Sequence, residues 1–461
     1  MKRLVLCFDG SWNRLDAPYQ TNVVITAQTV TSTGADGTPQ LIFYDEGVGT
    51  AKGQKARGGI FGKGVVQNLS DGYRFLIFNY EPGDEIYVFG FSRGAYTARS
   101  FVGLLSTCGI LVPREAPRAT EAVRLYQQRT DSQEYKDKLM RFRCAHSPQV
   151  CVSDEENAWR MRNVADFDPA RAPQLQVTYV GVWDTVGSLG IPARYRLAKW
   201  INRDHHFHDA SLSPFVKSAR HAVAIDERRK DFAPTNWDNI DELNVGAGKN
   251  SGEADAPYQQ VWFPGVHGAV GGGGQRRGLS DLALEWVLDG ARGAGLELDS
   301  SRHSRIFELL PDHTDYLNNQ EQPGLFSKVL NIIAAADREP GPRHLYEVSV
   351  SARRRWLEKP ENLRDGVQYR PKTLDGVKAE LDQLNPAMYG LGETADDNAS
   401  DYGIHVVKRH ENLYRIAEKA YGDGNEYPRI LKANLHKIDD PDRIYPGQLL
   451  RIPRRAADET A

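Results

Sequence analysis

The chain has 461 residues, of which 40% are apolar, 26% charged and 10% aromatic, a balance that excludes collagen-like, fibrous and wholly disordered chains. Its 58 Lys and Arg residues face 61 Asp and Glu, a net charge of -3, which excludes the whole-surface positive field of a nucleic-acid binder. The length suits one large domain with a smaller companion, and no stretch stays apolar over the roughly 18 residues that a membrane-spanning helix needs.

Arg3–Phe8 reads as a first buried strand, because its apolar run stops at Asp9-Gly10, short of the roughly seven apolar residues of a signal-sequence core. The expectation is a chain without a Sec-type address of its own. Further apolar, β-rich runs bounded by Gly, Asp or Pro stand at Gln40–Tyr44, Glu85–Phe89, Gln176–Val182, Gln260–Val266 and His344–Val350. Helical periodicity fills the intervals, as at Val65–Tyr80, Ala95–Thr107, Ser213–Asp226 and Leu279–Ala294. This alternation predicts an α/β fold over residues 1–384, a mostly parallel sheet with helices on both faces, with the long charged stretch 113–173 as a cap insertion. Residues 385–402 are polar, acidic and Gly-containing, which predicts a linker before a compact unit over 403–453 and a frayed tail over 454–461.

Four cysteines (Cys7, Cys108, Cys144, Cys151) include no CxxC pair and read as free thiols of a reduced compartment. His205, His206 and His208 lack the spacing of a zinc set and read as a polar loop. The Gly271–Gly274 run lacks the Lys-Ser/Thr pair that closes a P-loop. Neither a metal nor a cofactor is implied.

The chemistry-bearing pattern begins at Glu85–Phe89, which runs into Gly90-Phe91-Ser92-Arg93-Gly94 and then into a helical segment. G-x-S-x-G between a strand and a helix is the arrangement of a nucleophile elbow, where a tight turn lifts the Ser92 hydroxyl above the sheet edge. The backbone N–H of Arg93, at the helix start, would face a developing oxyanion. A serine nucleophile needs a base and an orienting carboxylate, downstream in the order Ser, Asp/Glu, His. Asp184 follows the run Gln176–Val182, and His267 follows Gln260–Val266, so each stands at the carboxyl end of a predicted strand. His221, inside a stretch of helical period, is the runner-up base. The loop after the first strand offers Gly10 and Ser11 as second oxyanion donors, with Asp9 and Asp45 as candidates for lining a substrate pocket or tying the loop.

At these residues the sequence resembles the α/β-hydrolase family of type VI secretion phospholipase effectors. DGSWN, TNV at Thr21–Val23, YDEGVGT, GFSRGA, GVWDTVG, RHAVAIDERR and VWFPGVHGAVGGG before LSDLALEW occur in matching order over about Arg3–Trp286. The resemblance implies a Ser-Asp-His hydrolase of phospholipid esters, with Ser92 as nucleophile and Asp184 as acid; both histidine motifs match, and His267 is the preferred base. It also implies delivery by type VI secretion to a target-cell periplasm, with secretion-apparatus proteins and an immunity protein as partners. Two departures stand out. Ser11 replaces the usual Thr, and Gly268-Ala269 replaces the usual Ser-Asp pair after His267.

The C-terminal unit resembles a LysM module over about Gly403–Pro453, through His405–Lys408, Glu411–Ala417, Tyr421–Gly424, Asn434 and Ile444–Pro453. That implies a small βααβ fold binding N-acetylglucosamine glycans such as peptidoglycan, through loops at Arg409–Leu413 and Asn434–Ile438. The site candidates there are Glu411, Asn412, Leu413 and Asn434. Alternatives to a lipase are a non-lipid esterase and a catalytically inactive envelope-binding scaffold. For the LysM unit the alternative is a docking module without sugar affinity.

Overall fold

The computed structural model describes residues 1–10, 13, 15–47, 60–187, 211–301, 304–306, 308–320, 336–389, 391, 402–438 and 440–454. Ser11, His205, His206, His208 and most of the expected linker and tail lie outside them. Six strands, β1 (Arg3–Phe8), β2 (Gln40–Asp45), β3 (Glu85–Phe91), β4 (Tyr179–Trp183), β5 (Ala219–Ala224) and β6 (Tyr258–Phe263), form one parallel sheet in the order β2-β1-β3-β4-β5-β6. A separate antiparallel pair joins β7 (Tyr402–Val406) to β8 (Leu449–Pro453). The α/β fold and the small C-terminal module are therefore as expected.

Two expected elements are corrected. Ser213–Asp226, read as a helix, contains β5 instead. Every residue of β5 is buried, so the alternation that betrays a half-exposed strand is missing. His344–Val350, read as a strand, is a turn with a single parallel bridge from Val348 to Trp262. The Ser349 side chain then accepts from Ala352 N–H and starts the helix Val350–Leu357.

The chain folds as two compact units, residues 1–219 with 231–243, and 220–230 with 244–461. In the first, β1 is buried along its whole length, and α1 (Asn22–Thr29), α2 (Ile60–Asn79) and α3 (Arg93–Cys108) pack around it. Phe8 stacks obliquely on Phe101 of α3 at 5.4 Å, and Gly72 of α2 lets the Phe8 ring approach, since a Cβ there would meet it at 2.9 Å. The expected cap region supplies α4 (Ala119–Gln127), α5 (Gln133–His146) and α6 (Asp154–Asn163). Its anchors are on the C-terminal half of α3. Gly103 abuts Tyr126, the Cys108 thiol reaches the Ala122 carbonyl, and Arg143 Nη1 donates to the Thr107 carbonyl at 2.7 Å. At 1.5 Å per helical residue, Thr107 is about 20 Å along α3 from Ser92. These contacts buttress the far end of α3. Buried Glu156 holds the strut, taking Arg160 on one oxygen at 2.6 Å and Arg143 on the other at 2.9 Å.

The second unit holds β5 from Arg220 on, the end of α7 (Ile240–Gly246) from Asn244 on, β6, α8 (His267–Gly271), α9 (Gly278–Gly293), α10 (Val350–Leu357), α11 (Lys378–Asp382) and the C-terminal module with its helices α12 (Leu413–Tyr421) and α13 (Tyr427–Ala433). Val223, Ile225, Trp262, Trp356 and Leu374 form one core, and Leu413, Ile416, Ile430 and Leu450 a second, smaller one inside the module. The expected linker at 385–402 does not divide the two units.

Candidate active site

In the first unit, β3 turns into α3 at Ser92, whose φ of 59° and ψ of −123° are strained for a residue with a side chain. Gly90 and Gly94 make the turn possible. A Cβ at Gly90 would lie 2.5 Å from the Gly94 carbonyl oxygen, and one at Gly94 would lie 2.2 Å from that of Phe8. Two backbone bonds tie the turn to the end of β4: Ser92 N–H donates to the Trp183 carbonyl at 3.0 Å, and Val186 N–H to the Ser92 carbonyl at 3.4 Å. Asp184 sits between those two anchors, fully buried and itself at a positive φ of 39°. The two strained non-glycine residues are thus joined by a backbone ladder, which holds the strain in place. Arg93 opens α3 half-buried, and burial lowers its guanidinium to about 10.

The loop after β1 presses on this turn, since a Cβ on Gly10 would meet the Ser92 Cβ at 3.3 Å. Asp9 organises that loop. One carboxylate oxygen accepts Gly10 N–H at 2.6 Å and Asn13 Nδ2 at 3.3 Å; the other accepts the Thr21 hydroxyl at 2.7 Å and the Tyr44 hydroxyl at 2.9 Å. Burial raises its pKa although all four bonds pull it down. The Gly10 N–H is thus bonded to the Asp9 carboxylate, and Asp9, 2% exposed, ties the loop, one of the two roles expected of it. Asp45 ends β2, half-buried, and burial together with the charges of Asp71 and Glu46 pushes its carboxyl up to about 7.

In the second unit His267 is the first residue of α8, just after β6, and its backbone N–H donates to Glu227 Oε2 at 3.2 Å. His221 lies inside β5 with no exposure, its Nδ1 2.9 Å from Gln260 Oε1 on β6. That is a packed polar side chain of a covered strand.

The C-terminal module is docked on α9 by buried charges. Glu285 Oε2 lies 3.0 Å from His436 Nε2 and 3.1 Å from Lys437 Nζ, and its other oxygen 3.4 Å from Arg451. Asp289 accepts Leu449 N–H at 3.0 Å, Arg292 at 3.0 Å and Lys437 at 3.4 Å. Gly447 touches α9 with its backbone, and a Cβ there would meet the Gly293 nitrogen at 2.2 Å. Burial opposes ionisation of Glu285, yet Lys437 and His436 together with Arg451 hold its carboxyl well below the usual range.

Residues 2–290 match the family described as "T6SS, Phospholipase effector Tle1-like, catalytic domain". The chain belongs to this family. Residues 405–453 match the LysM domain. Among curated relatives, an uncharacterized protein of Saccharomyces cerevisiae is 26% identical over 50% of this chain and 32% of its own length. An uncharacterized protein of Deinococcus radiodurans is 46% identical over 21% of this chain and 36% of its own. The potassium binding protein Kbp of Escherichia coli is 45% identical over 11% of this chain and 34% of its own. The chain thus spans about a third of the length of the curated relatives it matches. Among solved structures, the Tle1 effector bound to the VgrG spike of the type VI secretion system aligns with a TM-score of 0.30 at 16% identity, over 59% of this chain and 51% of that one. An uncharacterized protein from Pseudomonas aeruginosa aligns with a TM-score of 0.38 at 14% identity, over 97% of this chain and 75% of that one.

In this Tle1-like chain the four LysM candidates are all used internally. Glu411 accepts from His405, Lys408 N–H and Lys419, which outweigh burial and bring it to about 2. Asn412 caps α12 by accepting Arg415 N–H, and Leu413 lies in the module core. Asn434 is fully buried, donates to the carbonyls of Ile430 and Arg451, and accepts Arg451 N–H. Sequence reasoning missed Glu227, Glu285 and Asp289. Glu285 and Asp289, four apart in an otherwise apolar stretch of helix, were the available signal of a polar contact there.

Proposed function

We propose that this Tle1-like chain is a serine esterase that cleaves carboxylic esters of phospholipids. The observation that supports the reading best is the strained Ser92 turn bonded on both sides of Asp184. In the proposed cycle Ser92 Oγ attacks the acyl carbonyl and His267 takes its proton. Asp184 orients the imidazole and stabilises its charged form. The Arg93 N–H, with that of Ser11, holds the oxyanion; an acyl-enzyme forms, and water, deprotonated by His267, releases the fatty acid. The LysM unit would hold N-acetylglucosamine glycans of the cell wall and raise the enzyme's local concentration at the target. The setting proposed is delivery by type VI secretion into a rival's periplasm, with spike and immunity proteins as partners.

The deciding experiment incubates wild type and Ser92→Ala with mixed phospholipids and identifies the products. Fatty acid release by wild type alone is the expected result, and equal release by Ser92→Ala would end the mechanism. Short soluble esters in place of lipids separate a lipase from a non-lipid esterase. A second reading applies to the LysM unit, that of a docking module, and the buried contacts of Glu285 and Asp289 favour it. Retention of the full chain on insoluble peptidoglycan would speak against docking as its only role.

A further inference from the structure

The turn that carries His267 is held by two adjacent carboxylates from the loop after β5. Asp226 Oδ2 accepts Gly265 N–H at 2.6 Å and the Tyr369 hydroxyl at 2.9 Å. Glu227 Oε2 accepts His267 N–H at 3.2 Å from a side chain that is 3% exposed. Gly265 lies between them at a φ of 108°, and Val266, which precedes α8, has no side-chain acceptor to offer the helix start. Glu227 fills that gap from a distant segment, in a chain where Gly268-Ala269 leaves no polar side chain directly after the histidine.

We propose that Glu227 is the positioning residue of His267, fixing its backbone and adding, to the charge proposed for Asp184, a second negative charge that favours the imidazolium. The inference rests on the reading of His267 as the base. Arg229 sets how much of that charge His267 feels. Its Nε donates to Oε1 at 2.8 Å, its Nη2 to Oε2 at 2.7 Å, and its own N–H to Oε1 at 2.9 Å. Burial alone would raise the Glu227 carboxyl, but the Arg229 bonds and charge, with the charge of His267, bring it below its usual range, so it is ionised when the base works. The other charges around the turn have partners. Arg228 pairs with Asp337 at 3.1 Å and Arg277 with Asp281 at 3.0 Å. Asp226, raised to about 6 by burial, keeps Tyr369, with Arg355 and Asp365 beyond.

The test is the pH dependence of fluorophosphonate labelling of Ser92 in three proteins. In wild type the acid limb reports deprotonation of the base. Glu227→Gln keeps an oxygen for the His267 N–H and removes the charge. Its limb should move about one pH unit toward acid, with a plateau rate about tenfold lower. Arg229→Gln leaves the carboxylate less neutralised, so its limb should move the opposite way. Its side chain is 42% exposed and Glu227 keeps the N–H groups of Arg229 and His267, so this variant is a second measurement that does not alter the buried carboxylate. Asp226 titrates alike in all three, so the differences isolate Glu227. Limbs that coincide, or a loss of rate with an unmoved limb, would overturn the proposal. If His267→Ala labels at the wild-type rate, or wild type is not labelled at all, the underlying reading falls and this inference with it. Coinciding limbs alongside an inert His267→Ala sink the inference alone.

Discussion

At Ser92 the backbone angle and the side chain ask for different residues. A φ of 59° is easy for glycine and strained for anything with a Cβ, yet the elbow keeps a serine there. Strain of this kind, on the order of 1–3 kcal/mol, is retained because neighbouring contacts over-determine the turn. The bonds from Ser92 to Trp183 and Val186 are such contacts. Two inactive variants should therefore differ in stability. Ser92→Gly removes the strained Cβ, while Ser92→Ala keeps it, so the glycine variant should be the more stable by about 1 kcal/mol, less the added freedom of its unfolded chain. Thermal unfolding of the pair checks this, and an alanine variant equal to or above the glycine variant would show that the turn is not strained. Asp9 illustrates a second point at this scale. DG after a strand was readable as a loop near the nucleophile. That the carboxylate would gather Gly10, Asn13, Thr21 and Tyr44 was not, because two of the four donors, Thr21 at the start of α1 and Tyr44 in β2, lie elsewhere in the chain.

Among the elements, those that the sequence announces are the ones whose signal is local. β1 and β3 are continuous apolar runs closed by Asp-Gly or by the elbow glycines, and they fold as read. β5 was lost because Arg220-His221 interrupts the apolar run, and the structure answers them with tertiary partners. Arg220 donates to the Trp286 carbonyl at 2.5 Å and His221 meets Gln260. The insertion between α3 and β4 was equally opaque, since length and charge say that a segment protrudes but not which end of α3 it grips. Its grip is ionic and buried. Glu156 is the single carboxylate shared by Arg143 and Arg160, and none of the three is exposed by more than a few per cent. Glu156→Gln would leave two buried guanidinium groups without their counter-charge, which destabilises by about 3–5 kcal/mol. The expected result is a clear fall in the thermal midpoint. Because the strut grips α3 about 20 Å from Ser92, the proposed nucleophile, fluorophosphonate labelling of the folded fraction should change little. An unchanged midpoint would mean that the strut carries no stability.

On the scale of the whole chain, the feature with most consequence is that the LysM residues fold into the same compact unit as the second half of the hydrolase region. A tethered module would need no buried charges, whereas here Glu285 and Asp289 of α9 face His436, Lys437 and Arg451 across at least 148 residues of sequence. Such pairing has no periodic signal, which is why the sequence showed a linker and a compact unit but not the contact between that unit and α9. The contact should also be acid-labile. Burial lowers His436 to about 4; Glu285 opposes the shift, while Arg451 and Lys437 add to it. Docked, the ring stays neutral down to that value; exposed, it takes a proton below its ordinary 6.5. The undocked state therefore binds more protons between the two values, so stability is intact above 6.5 and falls as the pH drops toward 4, by a total on the order of 3 kcal/mol. His436→Gln keeps an N–H for Glu285 and cannot titrate. Its thermal midpoint should fall less steeply than that of wild type over this range, and the two should run parallel above it. The carboxylates of the cluster titrate in both proteins, so they cancel in the difference. Parallel curves across the whole acid range would show that His436 is not held neutral against α9, and the acid-labile contact would have to be abandoned.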